Sequence, residues 1–205
     1  MKSAIKPAWH RPLPPFRISF GAGFAALFAL VCYFDGSGMA GAIFPAAAIH
    51  ELAHMGALVA ANAPPRALEA TITGFRLDYS GELVGISKLV CALAGPVAGL
   101  SFAKLCAVCG AALKSDYLLM VAGSSLVLNV FNLLPALPLD GGRALLAALC
   151  FALPEATAKR IVKATGVLSA LALLGAGVAL IGDGMGVALV AAGAWLLVLQ
   201  IIDRR

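Results

Sequence analysis

Long apolar runs alternate with short polar breaks along this chain, and the spacing of the breaks sets the elements. Apolar runs cover residues 18–33, 39–61, 89–113, 117–134 and 164–181, with a last one ending near 202. A helix needs about 20 apolar residues to cross a bilayer. The six runs therefore predict six spanning helices, the first borrowing flanking residues to reach full length. DGSG at 35–38 and GDGMG at 182–186 punctuate the runs as turns. The run at 144–153 is too short to span and predicts a buried or interfacial helix. One segment fits neither class. RALEATITGFRLDYSGELVG, residues 66–85, follows Ala63-Pro64-Pro65 and contains two β-prone pieces with partial alternation. We expect a short hairpin at the membrane surface, turning at Gly74, although a plain polar loop would have similar composition.

Composition narrows the fold class. The 205 residues are 61% hydrophobic and 12% charged, with a mean hydropathy of +0.97. A soluble domain carries about 25% charge. The excess lies in Ala, Leu, Val and Gly, small residues that let helices approach closely in lipid. An open sheet cannot span, because its edge amides would go unpaired, and the alternating strands of a barrel are missing from the pattern. The expectation is an all-α polytopic membrane bundle carrying one short surface hairpin. We read 1–205 as a single domain, with a cytoplasmic tail at 1–17, a core at 39–152 and C-terminal helices at 164–202.

Charge then orients the bundle. With the N-terminus inside, the inner segments hold thirteen of the fifteen basic residues; only Lys114 falls in an outer loop, and Lys104 lies within a span. That bias places both termini in the cytoplasm of a prokaryotic cell membrane, and the net charge of +5 gives no reason to expect a nucleic-acid partner. The start, MKSAIKPAWHRPLPPFR, is basic but long and Pro-rich, so we expect a retained helix after it and not a cleaved signal. All five cysteines fall in apolar segments, which favours packing over disulfides, and the Cys106/Cys109 pair alone is a weak motif.

Candidate chemistry sits inside the second run. His50 and His54 are spaced i, i+4 and share one helix face, with Glu51 beside it. H-E-x-x-H reads as two zinc ligands and a general base. Ionisable groups in a span cost several kcal/mol unless partnered, so a buried hydrogen-bond network is the weaker reading. A catalytic zinc takes three protein ligands and leaves one position open. His10 and Asp140 compete for the third place. Asp140 is the better candidate. It follows Pro135 and Pro138 in NVFNLLPALPLDGGRALL, where Gly141 and Gly142 permit close backbone approach. An N-cap role for Asp140 is compatible with ligation.

With both motifs in view, the chain resembles the site-2 protease family of intramembrane metalloproteases, the M50 peptidases. The resemblance rests on H-E-L-A-H at 50–54 and N-L-L-P-A-L-P-L-D-G-G at 132–142, and L-A-G-P-V-A-G at 93–99 is similar to the family's Gly-Pro segment. It covers about 39–152. Neither a PDZ domain between the motifs nor a C-terminal CBS domain is evident, which is similar to the stage IV sporulation protease branch. The resemblance implies one Zn2+ held by His50, His54 and Asp140, with Glu51 as base and Asn132 helping to position substrate or steady the oxyanion. It equates 66–85 with a re-entrant hairpin beside the site, making Gly74 and Phe75, with Asn129, the substrate-contacting candidates. The implied activity is cleavage of transmembrane or membrane-associated proteins within the bilayer. The competing class is a metal-binding transporter or sensor without hydrolysis. It would not need Glu51 and would need a continuous polar path, yet the spans offer almost no polar groups beyond the motifs apart from Lys104 and Ser124-Ser125.

Overall fold

The computed structural model describes residues 16–22, 29, 32–33, 35, 38–71, 74–183 and 186–202. In chain order the elements are β1 (Arg17–Phe20), α1 (Met39–Ala60), β2 (Pro65–Thr71), β3 (Gly74–Tyr79), α2 (Ile86–Leu113), α3 (Asp116–Asn132), α4 (Asp140–Leu149), α5 (Glu155–Ala179), a 3-10 turn (Ile181–Asp183) and α6 (Gly186–Ile202). The protein is mostly helical with one small sheet, as the hydropathy pattern requires. Among the described residues α1, α2 and α5 are long and apolar enough to cross a membrane, whereas α3 and α6 are 17-residue apolar helices.

Local chemistry explains where the helices begin. Asp35 accepts the backbone N–H groups of Met39 and Ala40 and so caps α1, with Gly38 in the left-handed conformation between them. Ser115 caps α3 by accepting from Leu118. Leu139 and not Asp140 takes the N-cap position of α4; Asp140 is its first helical residue, where a carboxylate complements the helix dipole. That helix runs from Asp140 to Leu149, four residues earlier than hydropathy alone suggests.

The helices are apolar on nearly every side. Large residues such as Leu52, Val97, Leu105, Val127 and Leu168 point outward, while contacts are made through Ala42, Ala46, Ala103, Cys106, Val121 and Ala122. Outward bulk with inward small residues is the packing expected in lipid, where close backbone approach drives association. Helix α2 is central and touches α1, α3 and α4; α5 and α6 form a pair that joins the rest through α4 and the loop before it.

The sheet differs from expectation in two respects. First, β1 adds a parallel strand to the hairpin, giving the order β1-β2-β3. Residues 18–20, expected to open the first span, are therefore in a strand. Of the rest of that run, Ala22, Ala29, Cys32 and Tyr33 are helical and most other positions lie outside the described residues, as does His10. Second, Gly74 pairs with Thr71, so the connection falls on residues 72–73 and Gly74 is already strand. The register sorts side chains by face. Ile18, Leu68 and Leu77 form one row and Phe20 and Ala70 another on the same face, while Ser19, Glu69 and Arg76 share the opposite face with Arg17 and Asp78. One face is thus apolar and the other charged, as suits an element at a membrane boundary. Leu77 packs on the cluster of Leu58, Ala63, Leu83 and Cys91, which fixes the sheet to the end of α1 nearer His54.

Candidate metal centre

Four elements build one site. Helix α1 supplies His50 and His54 one turn apart, and α4 supplies Asp140. The Nε2 atoms of the two histidines are 3.1 Å apart, and Asp140 Oδ2 lies 3.0 Å from His50 Nε2 and 3.1 Å from His54 Nε2. His50 and Asp140 are buried and His54 is nearly so.

The outer hydrogen bonds fix the role of each Nδ1 atom. Asn129, fully buried on α3, directs its amide nitrogen to the Ser125 carbonyl at 2.7 Å, so its oxygen faces His50 Nδ1, also at 2.7 Å, as an acceptor. His54 Nδ1 donates to the Cys91 carbonyl of α2 at 2.7 Å. Both Nδ1 atoms are therefore donors, so in the neutral ring each Nε2 is left as a lone pair facing the other ring and a carboxylate. Three converging acceptor atoms repel unless protons or a metal cation lie between them. Tetrahedral zinc ligands at about 2.0–2.1 Å stand about 3.3 Å apart, close to the spacing found here. Nδ1 held by an amide or carbonyl is also the outer arrangement of metal-bound histidine. His50, His54 and Asp140 form the one group of three among the described residues able to hold a metal ion, and they fit one.

Glycines make this convergence possible. A Cβ on Gly95 would lie 2.3 Å from His54 Nε2 and 2.8 Å from His50 Cε1. One on Gly99 would lie 2.1 Å from the Asn129 amide nitrogen, and the Gly99 carbonyl receives the Ser125 hydroxyl at 2.8 Å. The Gly-Pro segment at 93–99 is thus a flat strip of α2 against which the histidines and Asn129 lie. On the other side, Cβ atoms on Gly141 and Gly142 would lie 2.1 Å from the Leu133 carbonyl oxygen and 2.4 Å from the Ala136 carbonyl carbon. Glycine at both positions lets the first turn of α4 rest on the backbone of the preceding loop and carry Asp140 to the histidines. Arg143 Nη1 stands 3.9 Å from the other Asp140 oxygen, Oδ1.

The remaining candidates fall in different places. Glu51 is half-buried, with no hydrogen bond to its carboxylate among the described residues, and lies within electrostatic reach of His50, His54, Asp140 and Arg143. Asn132 is not drawn into the cluster's hydrogen bonds; its amide donates to the Leu128 carbonyl one turn back, at 3.1 Å. Asn129, expected at the substrate, stands behind His50 with no exposed surface, its amide oxygen on His50 Nδ1. Gly74 and Phe75 occupy the start of β3. Sequence reasoning missed Thr165 and Gln200, which bond to the carbonyls of Pro135 and Leu137. The available signal was Gln200 itself, one amide in an otherwise apolar helix.

Residues 111–173 match Peptidase family M50. The fold is similar to that of a site-2 protease from Methanocaldococcus jannaschii, with a TM-score of 0.66 and 20% identity over 89% of this chain and 86% of that one. No curated protein sequence matches the chain.

Proposed function

We propose that this chain is a member of the site-2 protease family, a reading that the M50 match over residues 111–173 and the shared fold support, and that it is a zinc endopeptidase cutting protein substrates within the bilayer. The observation that carries the reading is the convergence of two Nε2 atoms and a carboxylate beside a half-buried Glu51 whose carboxylate has no hydrogen bond among the described residues. Zinc held by His50, His54 and Asp140 supplies Lewis acidity to water and to the scissile carbonyl. The protein residues do the rest. Asn129 and the Cys91 carbonyl hold the imidazoles in the tautomer that keeps Nε2 free. Glu51 takes a proton from the attacking water and returns it to the departing amide nitrogen, and with no competing hydrogen bond among the described residues its carboxylate is available for both transfers. This sequence of events needs no part from Asn132, whose amide is occupied by Leu128.

Substrate entry favours the sheet. Peptide bonds in a helix are shielded by their own hydrogen bonds, so a spanning substrate must unwind locally before cleavage. Among the described residues no strand pairs with the outer edge of β3 in the order β1-β2-β3, and an extended segment can add there as a further strand, next to Gly74 and Phe75. Basic residues Arg17, Arg66 and Arg76 in the sheet support a cytoplasmic location for it, and with it both termini inside.

Glu51→Gln tests the chemistry. The variant should retain zinc and lose cleavage of a single-span reporter protein by at least about 100-fold, within the range for loss of a general base. Retained cleavage by a folded, zinc-loaded Gln variant would refute the role of Glu51. A wild-type protein that binds zinc without cutting any membrane protein would instead support the transporter or sensor class.

A further inference from the structure

The loop that delivers Asp140, residues 133–139, is clasped from both sides. On one side the first turn of α4 rests on it through Gly141 and Gly142. On the other, α5 and α6 pack Ala170 and Leu196 against Ala136 and Leu139. Two side chains add hydrogen bonds to that apolar contact. Thr165 on α5 donates to the Pro135 carbonyl at 2.7 Å, sharing its hydroxyl with the Val162 carbonyl at 2.9 Å. Gln200 on α6 donates its amide to the Leu137 carbonyl. Among the described residues no backbone N–H reaches either carbonyl. Gly166 clears the space for Gln200, since a Cβ there would lie 2.7 Å from its carboxamide oxygen and 3.3 Å from the Ala136 Cβ.

Packing two apolar helices does not require these groups. Gln200 is 4% exposed in a helix whose other buried positions are Gly186, Gly193 and Leu196, and an amide buried there is costly unless it is bonded. What it bonds is the backbone three residues before Asp140. Pro135 and Pro138 give the loop two residues without N–H groups, so its carbonyls have few local donors and their direction must be set from outside.

We propose that Thr165 and Gln200 are positioning residues for Asp140: the C-terminal helix pair holds the carbonyls of Pro135 and Leu137 and thereby sets the third ligand against His50 and His54. This inference rests on the metal-centre reading given above. Neither residue touches the metal position; both act through the loop.

The test measures zinc affinity of the full chain in detergent micelles or lipid nanodiscs, by competition with a chromophoric chelator, alongside melting of the metal-free protein. The double variant Thr165→Val with Gln200→Leu keeps side-chain bulk and removes both donors. It should weaken zinc binding about tenfold, the lower end of the 10–100-fold range for loss of outer-sphere support, with metal-free melting unchanged. Thr165→Ser keeps the hydroxyl and, on its own, should bind zinc as wild type does, whereas Thr165→Val alone should be weaker. Wild-type affinity in the double variant would overturn the proposal. So would weaker affinity accompanied by an equally weakened metal-free fold, which is the signature of a merely structural role. Asp140→Asn is read separately. If it binds zinc as tightly as wild type, the metal-centre reading fails, whatever the double variant does.

Discussion

Replacing Gly95 with alanine is the most severe small change the site can receive. The added carbon would lie 2.3 Å from His54 Nε2, the atom that must face the metal, and 2.8 Å from His50 Cε1. An ordinary contact between such atoms is about 3.5 Å, so something must move by about 1 Å. His54 cannot swing freely, because its Nδ1 is bound to the Cys91 carbonyl at 2.7 Å. Cys91 and Gly95 lie one turn apart on α2, so sliding that helix moves the obstacle and the anchor together. If α2 instead withdraws from α1, the flat contact that seats Asn129 against Gly99 opens as well. Metal ligation tolerates about 0.2 Å, and a 1 Å misplacement of a reacting group costs about 100-fold in rate. We expect Gly95→Ala to lose at least about tenfold in zinc affinity and about 100-fold in cleavage, with about 1–3 kcal/mol of overpacking strain. Metal content by plasma mass spectrometry, reporter cleavage and thermal melting read the three effects. Gly56→Ala is the control: it lies two residues beyond His54, and its added carbon would meet nothing within 4 Å, so it should be neutral or stabilising by about 0.5–1 kcal/mol. Wild-type zinc content and cleavage in Gly95→Ala would refute the close approach on which the site's geometry rests.

Other changes probe the remaining supports. Asn129→Leu removes the acceptor behind His50 and should weaken zinc binding about 10–100-fold; competition titration checks this, and unchanged affinity would contradict the tautomer assignment. Gly142→Ala pushes α4 off the loop backbone at Ala136 and should destabilise the protein by about 1–3 kcal/mol while lowering zinc affinity, read by melting and titration. Chelation should abolish cleavage while leaving the helical circular dichroism nearly intact, since packing holds the helices, and added zinc should restore activity.

The parts of this architecture written in short-range spacing were legible in the sequence. A four-residue interval puts His50 and His54 on one helix face whatever surrounds it, and a run of 20 apolar residues can do little but form a helix in lipid. The hairpin showed in its alternation. Features created by distant pairing were harder to read. Arg17–Phe20 is four residues long, too short to distinguish a strand from the start of an apolar helix, and its partner β2 lies some 50 residues further along the chain. Asn129 and Asn132 are three residues apart on one helix, and only the approach of α1 and α2 decides which of them meets a histidine. The glycine strip at 93–99 could be recognised as a motif, but its purpose appears only when the imidazoles lie on it. Thr165 and Gln200 carry no motif; their significance depends on carbonyls that, among the described residues, no backbone N–H reaches in a Pro-rich loop elsewhere.

On the proposed reading, the position of the histidines along α1 has a consequence for what cleavage releases. Six residues separate His54 from Ala60 at the end of α1, about 9 Å of helix, whereas the middle of the hydrocarbon lies about 15 Å from either boundary. On the proposed reading, a spanning substrate severed at that level is divided unequally. With the end of α1 taken as the hydrocarbon boundary, the fragment on the side of the sheet keeps only about three residues of its former anchor if extended and about six if helical, far below the 20 or so that hold a helix in lipid, and it partitions into water. The other fragment retains most of its apolar length and stays in the bilayer. Where the two imidazoles sit along α1 thus decides which half of a cleaved protein is set free and which stays behind as membrane residue.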